Sequence, residues 1–256
     1  MKILAIGDVV GTRGVEYLKE KLWQERRRLG VDFTVVNGEN AADIHGIGVS
    51  EAESILEAGA DLLTLGNHTY GRRDIYSLLS DSECIIRPAN YPPLAPGGGY
   101  TILRVDGWRI LAINIMGTAL MEPLACPFAT VDRILEREEG NYDFALMDIH
   151  AEATAEKIAL ARYFDGRIAV MFGTHTHVQT ADEQVLPEGS GYITDLGMTG
   201  PVDGVIGSDA EAVIEKFRTK MPVRFKVAEG RIAATGALFE LDSACRRVLR
   251  VSRVRF

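Results

Sequence analysis

The stretch "RIAVMFGTHTH", Arg167 to His177, sets an apolar run directly before two histidines one residue apart. "RIAVMF" is short, apolar and followed by a glycine, which reads as a buried strand. On an extended segment, residues two apart point the same way. Once the strand gives way to a loop, His175 and His177 can both turn toward one point. Two imidazoles on one point suit a metal ion, but a polar loop with two solvated histidines explains an isolated pair better. Whether the pattern recurs decides between the two.

It recurs four times. Asp8 follows "KILAIG", Glu39 and Asn40 follow "DFTVVNG", Asn67 and His68 follow "DLLTLG", and His150 follows "DFALMDI". Helical stretches separate these runs. "GVEYLKEKLWQERRRLG" ends at Gly30, and in "SEAESILEAG" Ser50 and Glu53 have capping-box spacing with Gly59 closing the helix. "ATVDRILEREEG" and "TAEKIALARYFDG" are helical further on. Alternation of strand and helix predicts parallel strands joined by helical crossovers. In open α/β sheets ligands bind at the carboxyl ends of the strands. Four of the five histidines fall at that edge, and the fifth, His45, lies in the loop after the second strand.

The middle of the chain changes style. "YPPLAPGGGY" is a loop, and "YTILRVDGWRILAINI" carries β-rich flanks around Asp106-Gly107, a hairpin signal. After residue 182 the pattern is mainly β, with one helix near "SDAEAVIEKFRTK". "VRFKVAEGRIAATGALFELD" and "CRRVLRVSRV" read as antiparallel strands, and the Gly-rich "LGMTGPVDGVIG" reads as a loop. The expected architecture is α/β: one domain over residues 1–256, with two packed mixed β-sheets flanked by helices.

Composition narrows the function. The 256 residues can bury a substantial core, and 28 Lys and Arg against 36 Asp and Glu leave a net charge of −8. Such a balance disfavours duplex nucleic acid, whose binding rests on phosphate neutralisation by Lys and Arg. Cys84, Cys126 and Cys245 stand far apart and in no CxxC pattern, against a disulfide framework or a thiolate zinc site. No apolar stretch is long enough to span a bilayer, and Asp8 interrupts the N-terminal run before signal-peptide length. The expected setting is cytoplasmic, away from membranes, with self-association left open.

Carboxylate, amide and imidazole donors without thiolate suit manganese, iron or zinc. A carboxylate can bridge two ions about 3.5–4 Å apart, which together grip a phosphate and hold a hydroxide formed near neutral pH. The ordered set "GDVVG", "NGEN", "GNHTY", "DIH" and "GTHTH" resembles the calcineurin-like metallophosphoesterases, whose motifs stand at successive strand ends. The resemblance covers residues 6 to 177, and the late β-rich part fits the second sheet of that four-layer α-β-β-α fold. Departures from the general pattern, together with "DLGMTGP" at 195–201, resemble the YmdB branch. Val10 stands where a histidine is usual, Glu39 with Asn40 replaces the usual Asp, and Thr69 replaces the acid after the histidine. In "GTHTH" one residue is inserted before the histidine pair.

The resemblance implies hydrolysis of small phosphodiesters, notably 2′,3′-cyclic nucleotides, by two metal ions, iron or manganese ahead of zinc. It implies that Asp8, Glu39, Asn40 and His177 hold the first metal. Glu39, Asn67, His150 and His175 hold the second, with Glu39 bridging. His68 ligates neither and donates a proton to the leaving alkoxide. Three rivals compete with this reading: a phosphomonoesterase of the same fold, an amidohydrolase, and a regulatory protein that binds metal or nucleotide without turnover. Arg26, Arg27 and Arg28 suit the end of a helix, where cations meet the dipole. Arg72 and Arg73 could meet a phosphate or simply face solvent. His45 has no slot in the motif set and reads as a loop residue.

Overall fold

The computed structural model describes residues 1–43, 45–242 and 247–256. The chain begins β1 (Lys2–Ile6), β2 (Asp8–Val9), α1 (Gly11–Leu29), β3 (Phe33–Asn37), α2 (Val49–Glu57) and β4 (Leu62–Thr64). It continues through α3 (Ile75–Asp81), β5 (Ile85–Ile86), β6 (Tyr100–Val105), β7 (Trp108–Met116), α4 (Pro127–Arg137) and β8 (Phe144–His150). The rest is α5 (Thr154–Tyr163), β9 (Val170–Thr174), β10 (Gln184–Val185), β11 (Gly191–Ile193), β12 (Met198–Pro201), α6 (Ala210–Thr219), β13 (Ile232–Leu241) and β14 (Val248–Arg255). Among the described residues no helix is long and apolar enough to cross a membrane.

The strands form two mixed sheets. The first has the order β2-β12-β13-β1-β3-β4-β5, with β14 also paired to β13. In it β1, β3, β4 and β5 are parallel, and β13 runs antiparallel to β1. The second has the order β10-β11-β9-β8-β7-β6, parallel from β11 to β7 and antiparallel at both edges.

Strand alternation builds the layers. On β1, Ile3 and Ala5 join Phe33, Leu146, Phe172 and Phe239 in the core between the sheets. Their neighbours Leu4 and Ile6 pack with Val15, Leu18, Leu22 and Ile55 of α1 and α2. On the far side, Ala145, Met147 and Ile149 of β8 meet Val131, Ile134 and Leu160 of α4 and α5. The result is the α-β-β-α layering expected from the sequence.

Several boundaries differ from the sequence reading. Helix α1 starts at Gly11 rather than Gly14, with Val10 before it and no side-chain cap. The cap of α2 lies at Gly48, whose N–H donates to Glu51 Oε2 at 3.2 Å, so Ser50 and Glu53 are already inside the helix. Strand β9 begins at Val170 rather than Arg167, which lies in a turn, pairs with Asp132 and stacks on Tyr163 and Phe164. The stretch expected as a loop at 195–207 contains β12, held between β2 and β13. Of "VRFKVAEGRIAATGALFELD" only Ile232–Leu241 is strand. The start of "CRRVLRVSRV", with Cys245, lies outside the described residues. The Asp106-Gly107 turn is as expected, both residues having positive φ, 49° and 86°, as a type I′ turn requires.

Candidate metal centre

The carboxyl ends of β3 and β4 in one sheet face those of β8 and β9 in the other, and a buried polar network ties them together. Asp148 of β8 accepts from Asn37 of β3 at 3.1 Å, from the Thr64 hydroxyl of β4, and from the Thr174 hydroxyl of β9 at 2.6 Å. All four side chains are buried. Thr174 Oγ1 also lies 2.9 Å from His150 Nδ1. The network therefore orients an imidazole whose other nitrogen, Nε2, faces out of the seam between the sheets.

Around that nitrogen the donors gather. Nε2 of His150 is 2.9 Å from Asn67 Oδ1, 3.1 Å from His175 Nδ1 and 3.3 Å from Glu39 Oε1. One ligating atom from each of Glu39, His150 and His175 lies within 4.8 Å of the others. Beside them, Asp8 Oδ1 stands 3.9 Å from His177 Nε2 and 4.0 Å from His150 Nδ1. Asn40 Nδ2 donates to Glu39 Oε1 at 2.9 Å and lies 3.3 Å from His177 Nε2. Asn67 Nδ2 donates to His68 Nε2 at 3.2 Å. Thus Asp8, Glu39, Asn40, Asn67, His68, His150, His175 and His177 share one neighbourhood, although they span residues 8 to 177.

The arrangement fits metal ions on its own chemistry. Asp8 Oδ1 and Asn40 Oδ1 are buried oxygens with no hydrogen-bond partner among the described residues. Buried oxygens are seldom left so, and a bound ion is one way to satisfy them. Three of the site imidazoles also have their outer nitrogen occupied: His150 Nδ1 by Thr174, His175 Nε2 by Glu152 Oε2 at 3.2 Å, and His177 Nδ1 by the Ile206 carbonyl at 3.0 Å. Metal-ligating histidines are oriented in this way through the nitrogen that does not bind.

The ring positions of His175 and His177 depend on unusual backbone. Both have positive φ, 98° and 65°, a conformation that costs roughly 1–3 kcal/mol for a residue with a side chain. Two carboxylates hold it. Asp8 Oδ2 accepts from the His175 N–H at 3.1 Å, and Asp195 Oδ2 accepts from the Thr176 N–H at 3.2 Å. Asp195 is itself paired with the buried Lys157 of α5 at 2.7 Å.

Electrostatics of the metal-free cage follow from this crowding. Burial on its own would depress the His150 imidazole, but Glu39 and Asp8 outweigh it and push His150 up to about 9. Burial would raise Glu39, yet His150 and His68 hold it well below the usual carboxylate range. Asp8 is raised to about 6 by burial, against the pull of His177 and His150. Burial and the neighbouring His150 charge lower His175 to about 3, leaving its lone pair available. Burial also lowers His68.

The sequence pattern did not single out Asp148, Thr174, Glu152, Lys157 or Asp195. An acid inside the apolar run "FALMDIH", two residues from His150 and so on its face of the strand, was the one available signal for Asp148. The others meet the site only through tertiary contacts. His45, expected as a loop residue, stacks on His68 with ring centroids 4.2 Å apart.

A family model described as YmdB-like protein matches residues 4–254. The chain is 42% identical to the 2′,3′-cyclic-nucleotide 2′-phosphodiesterase of Bacillus subtilis (strain 168), over 99% of this chain and 96% of that protein. A crystal structure of a hypothetical protein from Thermus thermophilus superposes with a TM-score of 0.94 at 40% identity, covering 100% of this chain and 99% of the other. A structure described as a novel phosphatase from Mycoplasma pneumoniae superposes with a TM-score of 0.94 at 31% identity, over 100% and 93% of the two chains.

Proposed function

Because the chain belongs to the YmdB-like family, we propose that it is a metal-dependent phosphodiesterase acting on small phosphodiesters, with 2′,3′-cyclic nucleotides as its substrate class. One observation carries the reading. Oxygen and nitrogen donors from both sheets converge at their shared carboxyl edge, and two of the oxygens, on Asp8 and Asn40, have no hydrogen-bond partner among the described residues. In this reading Asp8, Asn40 and His177 would hold one ion and Asn67, His150 and His175 a second, with Glu39 available to both. When bound, two such ions supply a water of lowered pKa as nucleophile and a grip on two phosphate oxygens. Iron or manganese suits this mixed donor set ahead of zinc.

The chain's own residues do the rest. The Asp148–Thr174 network keeps His150 Nε2 turned into the cage. Asn67 turns its amide oxygen toward His150 and its amide nitrogen toward His68. His68 donates a proton to the ester oxygen as its bond to phosphorus breaks, since an alkoxide leaves poorly unprotonated. Hydrolysis of a cyclic diester opens the ring, leaving one new P–O bond from water and one free hydroxyl. The net charge of −8 favours a small diester over duplex nucleic acid. Free Cys84 and Cys126 suit a reducing, cytoplasmic setting.

The test is elemental analysis of the purified protein beside a panel of 2′,3′-cyclic nucleotides, linear diesters, monoesters and amides. The expected result is stoichiometric metal and fastest turnover of cyclic diesters, with Glu39→Gln losing both metal and activity. Preference for monoesters or amides would overturn the substrate class. Equal biological activity of wild type and Glu39→Gln, with no phosphoester hydrolysed in the presence of Mn or Fe, would support a non-catalytic regulator instead.

A further inference from the structure

We propose that His45 is a positioning residue for His68, its imidazole stacking on the His68 ring and fixing the direction in which that ring presents its proton. The inference rests on His68 being the proton donor and goes beyond it by naming what aims that donor. The residue next to His68 cannot do so. Thr69 is fully buried, and its hydroxyl donates instead to the Gly66 carbonyl at 2.6 Å. The backbone N–H of His68 is engaged by Glu39 Oε2 at 3.1 Å. Among the described residues the ring itself has one hydrogen-bond contact at its edge, from Asn67 Nδ2 at 3.2 Å. A single edge contact fixes one point of a planar ring and leaves its tilt free.

His45 covers the face. The two ring centroids lie 4.2 Å apart with the planes 30° from parallel. His45 is exposed, and its ring contact among the described residues is the stack on His68. Backbone bonds flank the contact. Ala42 N–H donates to the Gly46 carbonyl at 2.9 Å, and Gly71 N–H donates to the His68 carbonyl at 2.9 Å. Gly46, at φ 82°, lies directly against the Gly71 backbone, with only 3.2 Å left for a Cβ. Gly46, next to His45, is thereby packed against the turn that follows His68.

A stack of this kind is worth about 3- to 10-fold in a rate that depends on ring orientation. The test compares His45→Ala, His45→Phe, His68→Ala and the His45→Ala/His68→Ala double variant on two substrates, with metal content measured for each. A 2′,3′-cyclic nucleotide has an alkoxide leaving group that needs a proton. Bis(p-nitrophenyl) phosphate has a leaving group that departs without one. On the cyclic nucleotide, His45→Ala should lower kcat about 3- to 10-fold with KM and metal content little changed. The loss should be smaller on the nitrophenyl ester, largely restored by His45→Phe, and absent when His68 is already alanine. Equal loss on both substrates, no rescue by phenylalanine, additive losses in the double variant, or altered metal content would overturn the role of His45. If His68→Ala itself loses equally on both substrates, the proton-donor assignment falls, and the role of His45 falls with it.

Discussion

Gly66 shows what a single residue must give up for the cage to form. A Cβ at that position would overlap His150 Nε2 and Glu39 Oε2, so the glycine of "GNH" is a packing requirement of the site. The same closeness sets the pH response. His150 is raised from 6.5 to about 9 in the metal-free fold, with Glu39 the main cause that overcomes burial. A raised imidazole adds stability that is fully present below the unfolded value and fades as pH climbs through 9. A metal ion can take Nε2 only after the proton has left. Apparent metal affinity should therefore rise steadily from pH 6 to 9, with proton release on binding. Titration calorimetry in buffers of different ionisation enthalpy reads that release directly. Affinity independent of pH over this range would mean that His150 keeps its proton or does not ligate. That eight scattered residues would meet in one place was legible because donors at strand ends repeat in order. Those that aim the donors were not, since Glu152 and Thr174 matter only through contacts made after folding.

Among the elements, β9 and the loop beyond it carry the most chemistry, and α5 holds them from beneath. Lys157 projects from α5 into the interior and pairs with Asp195, which in turn accepts from Thr176 and Gly197 N–H groups at 3.2 and 2.8 Å. Lys157→Met would leave Asp195 buried without its cation. That should cost about 3–5 kcal/mol, the usual penalty for breaking a buried pair at one end. Chemical denaturation measures the cost, and metal content should fall with it as the strained histidine backbone relaxes. Unchanged stability would show that Asp195 is satisfied by its N–H donors alone. Element-level reading of the sequence succeeded where the helical or apolar stretches ran long, in α1, α5, β7 and β8, and at the Asp106-Gly107 turn. It failed at β12 and β5 for a shared reason, and it did not pick out the seven-residue α3. "MTGP" is too short and too rich in Gly and Pro to signal a strand, and only the flanking β2 and β13 make it one. Two-residue β5 likewise exists by pairing with β4.

At the scale of the whole molecule, the donors come from both sheets, so assembly of the site and assembly of the fold are one event. We expect residues 1–256 to unfold in a single calorimetric transition. Chelation should lower the midpoint by roughly 5–10 °C, because ions that bind only the folded state stabilise it by mass action. Two resolved transitions would instead mean that the sheets melt as separate units. The exposed hairpin turn at Asp106-Gly107 falls between the contributors. Asp8, Glu39, Asn40, Asn67 and His68 precede it, whereas His150, His175 and His177 follow it. A polypeptide severed there would yield two fragments, each owning some of the proposed ligands of each ion and neither owning a full set. Phosphoester turnover would then report whether the fragments have found one another, making this turn a natural place to build a complementation sensor.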